Sequence, residues 1–211
     1  MTVATARVAR NTGLADFQRR RKQGSRDQLL VAATEAFCAR GYFDVSVEDI
    51  ASGAGVSRMT FYRHFSSKPA IASELFQLNA EAAMPRLLAI GQRDFRDREV
   101  VEDWLAGIFA ADRQKPRLLR VFIQANVDET GFTEKAHSFI GQLIAGLGQS
   151  IPAFAIDPAS PADRLHWLEA WLVIYEILDQ SNHAARGSGV ATDPLVIDIL
   201  AQRFLAFVGA A

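Results

Sequence analysis

Residues 45–68 read VSVEDIASGAGVSRMTFYRHFSSK, and this segment organises the rest of the chain. Ser46 is suited to cap a helix, and Asp49 three residues later completes a capping-box pattern. Apolar side chains then recur at helical spacing and give the helix one buried face. Gly53 and Gly55 provide turn backbone where a side chain would crowd the bend. The first half of the segment therefore predicts a short helix followed by a tight turn.

The second half of the segment predicts another short helix, which Ser57 caps and which ends at about residue 64. Phe61 and Phe65 are four residues apart and share its inward side. The outward side has no acid and carries Arg58, Met59, Tyr62 and Arg63. Two helices, a glycine turn and a cationic free face are the physical description of a helix-turn-helix that reads DNA. The alternative is an αα-hairpin that only packs.

Residues 56–68, VSRMTFYRHFSSK, resemble the recognition helix and following lysine of the TetR family of bacterial transcriptional regulators. The resemblance extends back through a first helix over residues 26–40, which Gly41 ends, so it covers roughly residues 22–70. It implies an all-α fold of about nine helices. In that fold a three-helix head binds DNA, and a helical body binds a ligand and forms the dimer.

Charge is unevenly distributed between the expected parts of the chain. We expect a flexible basic arm over residues 1–24, a helix-turn-helix domain over 25–70 and a ligand-binding and dimerisation domain over 71–211. Residues 1–70 carry 11 Lys and Arg against 6 Asp and Glu, although the net formal charge of all 211 residues is −1. This asymmetry is typical of a DNA-binding head on a body with another task. The run RRRK at 19–22 is either a solvated arm or a contact to phosphates or a minor groove.

The residues of the second helix have expected roles at DNA that follow from their chemistry. Arg58 stands at the start of the helix, where side chains reach base edges, and arginine pairs bidentately with guanine. Met59 and the methyl group of Thr60 are suited to contact a thymine methyl. Arg63 fits either a base or a phosphate. Base contacts at this helix would supply the sequence preference.

The family resemblance also implies phosphate contacts at Tyr62, His64 and Lys68, which fix the register of a protein on DNA rather than its sequence preference. For Tyr62 and His64 the alternative is packing between helices. The complete set of candidate DNA contacts is Ser46, Val47, Ser57, Arg58, Met59, Thr60, Tyr62, Arg63, His64 and Lys68.

Helical spacing of apolar residues continues through the rest of the sequence, and no segment predicts a strand. Pro85 is expected to kink or break the helix that follows the reading helix. The last two helices have apolar arcs wider than a single packing stripe, so they need to be buried on more than one side. We therefore expect a homodimer through these two helices, with Leu172 and Phe204 among the exposed apolar positions.

The resemblance implies a small-molecule effector, and aromatic residues are abundant in the middle helices. Several of these residues, with a few polar neighbours, are suited to line an apolar cavity. The effector is therefore expected to be apolar or aromatic, whereas ordinary core packing is the alternative for each aromatic residue taken singly. The candidate lining residues are Trp104, Phe109, Phe122, Asn126, His137, Trp167, Trp171 and Tyr175.

The sequence shows no local constellation for catalysis, a metal ion or a cofactor. The four histidines lack metal-ligand spacing, and a single cysteine, Cys38, excludes an intramolecular disulfide. No apolar run reaches transmembrane length, and residues 1–13 lack the apolar core of a signal peptide. We therefore expect a cytoplasmic protein that is not an enzyme, has no cofactor and does not bind membranes.

These observations together predict a TetR-type regulator. We expect a repressor that binds a palindromic operator on double-stranded DNA as a dimer. A small molecule would release it from the operator. Two alternatives stay open at this point. One is an activator or a regulator that does not respond to a ligand. The other is an all-α enzyme or small-molecule carrier whose basic head is incidental.

Overall fold

The computed structural model describes residues 24–128, 130–187 and 189–209. All regular structure in these residues is helical, which confirms the all-α prediction. Three short 3₁₀ helices, at Ala89–Gln92, Pro152–Phe154 and Gly189–Thr192, accompany the α-helices. The nine α-helices of the described residues are α1 (24–40), α2 (Val47–Gly53), α3 (Arg58–His64), α4 (Lys68–Leu88), α5 (Arg98–Arg113), α6 (Pro116–Asp128), α7 (Thr130–Leu147), α8 (Arg164–Ala185) and α9 (Leu195–Gly209).

The chain forms two compact units that meet between Leu75 and Phe76. We call the described residues of the first unit, 24–75, the head, and those of the second, 76–209, the body. The basic run at 19–22 and almost all of the expected arm lie outside the described residues. No helix in the described ranges is both long and apolar enough to cross a membrane.

The head is a small helical unit whose local hydrogen bonds fix the ends of its helices. The side chain of Ser46 accepts a hydrogen bond from the Asp49 backbone N–H at 3.1 Å, and the Ser46 N–H donates to the Asp49 carboxylate at 2.8 Å. This is the capping box that the sequence predicts. The core of the head includes Leu29, Ala33, Phe37, Ile50, Phe61, Phe65 and Ile71.

The turn between α2 and α3 depends on one of the two glycines that the sequence indicates. Gly55 has a φ of 65°, a left-handed conformation that an L side chain adopts only with strain. Gly53 is instead the last residue of α2. A Cβ atom at Gly53 would lie 3.4 Å from the Cβ atom of Ala32, which is ordinary van der Waals contact, so the packing of α2 against α1 does not require glycine here.

The body is built around α5, which packs against both α8 and α9. Asp97 caps α5 by accepting a hydrogen bond from the Glu99 N–H at 2.8 Å. Helical spacing then places one face of α5 in the core, as the sequence predicts. That buried face consists of Val101, Trp104, Leu105, Ile108 and Phe109.

Two glycines, Gly146 in α7 and Gly148 just after its end, lie at close contacts. A Cβ atom at Gly146 would lie 2.8 Å from Leu88 Cδ2, and one at Gly148 would clash with the carbonyl oxygen of Phe154. Glycine weakens a helix, but here it lets the chain after α7 fold back tightly. Phe154 consequently lies buried in the short 3₁₀ helix Pro152–Phe154.

Pro85 lies inside α4, which continues to Leu88, so of the two expected effects, a kink or a break, the break does not occur. One feature of the body differs from the sequence-based expectations. The prediction that Phe204 is an exposed, partner-facing position is wrong. Its side chain is fully buried, with its ring 5.2 Å from that of Trp104. Periodicity identified Phe204 as apolar, but it could not show which side of α9 the core occupies. Leu172, by contrast, is 59% exposed.

Candidate nucleic-acid interface and effector cavity

Local hydrogen bonds and two buried aromatic rings fix the orientation of α3. The hydroxyl oxygen of Ser57 accepts a hydrogen bond from the Thr60 N–H at 3.1 Å and caps the helix as predicted. Phe61 is fully buried, and Phe65 is buried at the residue that ends the helix. These two rings lie 5.9 Å apart. The inward side of α3 is therefore committed to the core, and the opposite side faces outward.

The outward side of α3 carries the residues that the sequence assigns to base and phosphate contacts. Met59 is 83% exposed. Tyr62 and Arg63 are also exposed. The Arg58 guanidinium lies 5.5 Å from the centre of the Tyr62 ring, and its Nη2 donates to the Tyr62 hydroxyl at 3.4 Å. These side chains form one continuous surface of cationic, hydrogen-bonding and apolar groups.

A residue that the sequence reasoning missed reaches this surface from the neighbouring helix. Glu48, in the first turn of α2, places Oε1 2.5 Å from Nη1 of Arg58. The hydrogen bond with the Tyr62 hydroxyl, followed by the charge of Glu48, raises the pKa of Arg58. The face of α3 itself has no acid, but the helix-turn-helix brings one from α2. The pair of Glu48 and Arg58 forms because the two helices pack together, so the spacing of residues within α3 could not indicate it.

Ser46 and Val47 lie at the start of α2, where the capping box occupies the side chain of Ser46. Hydrogen bonds from Ser46, followed by one from Arg40, lower the pKa of Asp49 to about 2. Arg40 Nη1 lies 3.3 Å from the Asp49 carboxylate. Ser46 nevertheless remains exposed, and Val47 is half-buried. Any contact that Ser46 makes with DNA therefore has to coexist with its capping role.

Lys68 has a structural partner in the head. Its Nζ donates to the backbone carbonyl of Tyr42 at 3.0 Å and lies 4.3 Å from the centre of the Tyr42 ring. An ammonium group has three donors, so this contact leaves donors for a phosphate. His64 is half-buried. Lys68 and His64 thus pack within the head, and the family resemblance also implies phosphate contacts for both.

The body contains a cavity of about 410 Å³ between α4, α5, α6, α7 and α8. Four of the eight candidate lining residues, Phe122, Asn126, His137 and Tyr175, lie in its wall. Asn126 accepts a hydrogen bond from the Thr133 hydroxyl at 2.7 Å. The cavity therefore brings together one aromatic ring from α6, one from α8 and two polar groups that can bind a ligand.

The other four candidates lie outside the cavity wall. Trp104 is buried against Phe204, and its indole N–H donates to the Arg86 carbonyl at 3.2 Å. Phe109 is buried in the core of the body, and the ring of Trp167 lies 5.2 Å from the Arg164 guanidinium. Trp104 and Phe109 therefore belong to the core, which was the alternative for each aromatic residue, whereas Trp167 lies outside both the core cluster and the cavity wall.

Trp171, the fourth of these candidates, supports two residues of the wall without being part of it. Its ring stacks on that of Tyr175, with centres 5.0 Å apart and an angle of 9° between the planes. The His137 ring meets Trp171 edge-on at 5.3 Å. Trp171 therefore holds Tyr175 and His137 in position at the cavity.

The wall also contains residues that the sequence reasoning did not single out. Phe76 centres a cluster of aromatic rings, 4.9 Å from Phe132, 5.5 Å from Phe122 and 6.4 Å from Phe139. Their spacing along single helices looks like ordinary core, so the cavity was not visible from periodicity. The polar and charged part of the wall comprises Asn79, Arg86, Asp112, Asn126, Thr133, His137, Tyr175, Asp179, Asn182 and Arg186.

Hydrogen bonds from neighbouring groups orient part of this polar wall. The hydroxyl of the buried Ser181 donates to Asp112 at 2.7 Å, and Lys115 Nζ donates to Asn79 at 2.6 Å. Burial lowers the pKa of Lys115. Within the described ranges, no group of three or more His, Cys, Asp or Glu side chains could hold a metal ion. The chemistry of the cavity is thus an aromatic cluster with a hydrogen-bonding and charged margin.

Residues 29–75 match the sequence model of bacterial regulatory proteins of the tetR family. These residues form a TetR-family domain. The match spans α1, α2, α3 and the start of α4, and so includes both the Ser46 capping box and the exposed face of α3. The resemblance that the sequence suggested is therefore confirmed.

One curated relative shows how far the TetR-family likeness extends in sequence. The HTH-type transcriptional activator FasR of Mycolicibacterium smegmatis is 54% identical over 43 residues, which are 20% of this chain and 20% of that protein. The chain thus matches only about a fifth of the length of this relative. The matched stretch is thus shorter than the TetR-family domain at residues 29–75.

Solved structures extend the likeness of the fold to most of the chain. A TetR-family transcriptional regulator of Mesorhizobium loti has a TM-score of 0.58 at 18% identity and covers 90% of this chain and 96% of its own. The TetR-family repressor FadR of Thermus thermophilus, in complex with lauroyl-CoA, has a TM-score of 0.52 at 23% identity, over 84% and 93% of the two chains. These similarities show the fold, and both neighbours are described as regulators rather than enzymes.

Proposed function

We propose that this chain is a transcriptional regulator that binds a palindromic operator as a homodimer and responds to a small molecule in the cavity of the body. The observation that carries the proposal is the exposed face of α3 on a TetR-family domain. Arg58, Met59, Tyr62 and Arg63 lie together on that face, opposite the buried Phe61. Side chains of this chemistry on the second helix of a helix-turn-helix are suited to base edges and phosphates.

The proposed DNA contacts divide into two groups with different consequences. Arg58, Met59 and Thr60 are assigned to base edges, where they would set the sequence preference, and Arg63 fits either a base or a phosphate. Tyr62, His64 and Lys68 are assigned to the phosphate backbone, where they would set register and salt dependence. Ser46, Val47 and Ser57 are further candidate contacts that are assigned to neither group.

Exposed apolar side chains on the last two long helices support the proposed homodimer. On α8, Leu165 is 71% exposed and Leu172 is 59% exposed, and on α9 Ile199 is 48% exposed. Large apolar side chains clustered on two neighbouring helices are characteristic of a surface that a partner covers. A twofold dimer would then present two heads to two symmetric half-sites, which is why we expect a palindromic operator.

The aromatic cluster and the polar margin of the cavity support an effector with an apolar or aromatic part and a hydrogen-bonding end. The cavity volume of about 410 Å³ lies within the range of small-molecule sites, which is roughly 300–1,000 Å³. The lauroyl-CoA bound to the Thermus neighbour combines a fatty acyl chain with a polar carrier. Control by such an effector requires that it bind the DNA-competent and DNA-incompetent states unequally.

The direction of regulation is a separate question, because the Mycolicibacterium relative is named an activator and the Thermus neighbour a repressor. We favour a repressor that the effector releases in the cytoplasm. The test is a gel shift with the DNA upstream of the chain's own coding sequence, with and without effector candidates. Binding that a ligand abolishes supports the proposal. Absence of binding to this DNA and to any duplex selected from a random library would favour an all-α enzyme or carrier.

A further inference from the structure

A carboxylate and a phenol hold the guanidinium of Arg58 from two sides. Glu48 Oε1 lies 2.5 Å from Nη1, and the Tyr62 hydroxyl accepts from Nη2 at 3.4 Å. The Tyr62 ring lies against the same guanidinium at 5.5 Å. The two partners belong to different helices, since Glu48 is in α2 and Tyr62 is one turn along α3 from Arg58. The plane of the guanidinium is therefore set before any DNA arrives.

Arginine has enough donors to keep these partners and still read a base. The guanidinium carries five N–H groups in a planar fork, and Glu48 and Tyr62 use one each. Bidentate recognition of guanine needs two donors, one for O6 and one for N7. Three N–H groups thus remain for a base in a fixed plane, because the two partners restrict rotation of the side chain.

We propose that Glu48 is a specificity-determining residue, which positions Arg58 for a single base and withholds its charge from phosphates elsewhere on DNA. The proposal rests on the function proposed above and adds a residue to its reading surface. Glu48 need not touch the DNA for this role, because it acts through Arg58. The pair forms across the turn of the helix-turn-helix, so it depends on the packing of α2 against α3.

The physical reason is that specific and non-specific binding use different parts of the arginine. Non-specific affinity comes from cations that neutralise phosphates and release counterions. An arginine paired with a carboxylate contributes no net charge to that process. At the cognate base pair, the free donors of Arg58 can bind guanine while Nη1 stays on Glu48. The pair therefore lowers affinity for unrelated DNA more than affinity for the operator.

The pair contributes little to the stability of the head, so either residue can be substituted without unfolding the head. The side chains of Arg58 and Glu48 are 63% and 53% exposed, and exposed ion pairs add little to folding. Glu48→Gln removes the charge and keeps the size of the side chain. Glu48→Asp keeps the charge but shortens the reach towards Nη1. Glu35→Gln removes an exposed carboxylate from α1 and serves as the matched control.

The experiment compares these variants on a duplex that the parent protein selects from a random-sequence library. Affinity is measured for that duplex, for its single-base variants and for an unselected duplex, at several salt concentrations. Glu48→Gln should bind the unselected duplex roughly two- to fivefold more tightly, the range of an exposed ion pair. Its salt dependence should steepen by about one charge per head. Discrimination should fall at the base pair that Arg58→Ala also affects, and Glu48→Asp should lose discrimination without steeper salt dependence.

Three outcomes would overturn the proposal. In the first, Glu48→Gln matches the parent in both discrimination and salt dependence, which makes the ion pair inconsequential. In the second, Glu48→Gln and Glu35→Gln tighten binding to all duplexes equally, which makes Glu48 only one negative charge among several. In the third, Glu48→Gln changes preference at a base pair that Arg58→Ala leaves unaffected, so that Glu48 reads its own base. Failure of the parent to select any duplex would instead refute the proposed function. Equal unfolding midpoints confirm that each variant is folded.

Discussion

The side chains proposed to act have different surroundings in the head and in the body. In the head, the groups proposed to act lie on an outer face, where Met59 is 83% exposed while Phe61 behind it is fully buried. In the body, they line an internal cavity beside an aromatic cluster. Substitutions on the outer face of the head should therefore change binding with little change in stability. In the body, stability and ligand binding should respond together wherever the core and the cavity share residues.

The largest effect is expected from Phe204→Glu in the body. Phe204 is fully buried between aromatic rings, so a carboxylate there would be buried without a partner. We expect a loss of more than about 4 kcal/mol in the free energy of unfolding, which is among the largest effects of single substitutions. Thermal unfolding followed by circular dichroism measures it. Retention of the parent midpoint would mean that Phe204 is not in the core.

Leu172→Glu is the matched change on the outside of the body. Leu172 is 59% exposed on α8, so the new charge can remain in water in a monomer. We expect the dimer to dissociate while the helical content of the body is kept. Sedimentation at micromolar concentration distinguishes the two states. A Leu172→Glu protein that still sediments as a dimer would show that this part of α8 does not face the partner.

Filling the cavity should abolish effector binding without affecting the head. Ala83 lies in the cavity wall, and its neighbour Ala82 is exposed on the same helix, so Ala83→Trp and Ala82→Trp share the same cost in helix propensity. A ligand at 100 times its dissociation constant stabilises its protein by about 2.7 kcal/mol. In a thermal-shift screen of apolar and aromatic compounds, we expect that stabilisation in the parent and in Ala82→Trp only. An equal shift in Ala83→Trp would place the ligand elsewhere.

The cap of the reading helix should have a smaller effect on the head. The Ser57 hydroxyl accepts from the Thr60 N–H, and removal of such a cap costs about 1 kcal/mol. Ser57→Ala should therefore lower the unfolding midpoint of the head and weaken binding to all DNA sequences. Ser66→Ala is the control, because Ser67 rather than Ser66 accepts from an N–H at the start of α4. Equal behaviour of the two variants would argue against the capping role.

The smallest effect is expected from the pH dependence of the α2 cap. The pKa of Asp49 is lowered from 3.8 to about 2 in the folded head, so the unfolded chain binds this proton first as pH falls. The contribution of the Asp49 carboxylate to stability is therefore complete above about pH 3.8 and disappears as pH falls towards 2. Unfolding of the parent and of Asp49→Asn across this interval should show a steeper acid loss in the parent. Parallel curves would show that the capping box does not titrate in this range.

The helix caps and helix faces of the head could be predicted because the residues that determine them lie close together in the chain. Ser46 and Asp49 are three residues apart, as are Ser57 and Thr60, so caps and helix faces follow directly from spacing. The ion pair between Glu48 and Arg58 was missed because it joins residues from two helices. No periodicity within one helix can indicate a contact that the turn creates.

In the body, the decisive contacts are distant in sequence, and the predictions were correspondingly weaker. The buried face of α5 follows from helical spacing alone, because one helix carries its whole pattern. The cavity, however, depends on Phe76 of α4 meeting Phe122 and Phe132 of α6 and α7. Apolar residues have the same helical spacing whether they pack solidly or surround a cavity. Spacing alone could therefore not separate the two cases, and four of the eight candidates lie outside the cavity wall.

The outer face of α3 is proposed to read base sequence through Arg58, whereas Lys68 is proposed to contact the phosphate backbone. Titration of the selected operator and its single-base variants with Arg58→Ala and Lys68→Ala, at several salt concentrations, separates these two roles. Arg58→Ala should lose about 1–3 kcal/mol of binding free energy and relax preference at one position of each half-site. Lys68→Ala should weaken all sequences equally and reduce the salt dependence by about one charge per head. If Arg58→Ala lowers affinity uniformly and leaves base preference intact, the assignment of the reading face is contradicted.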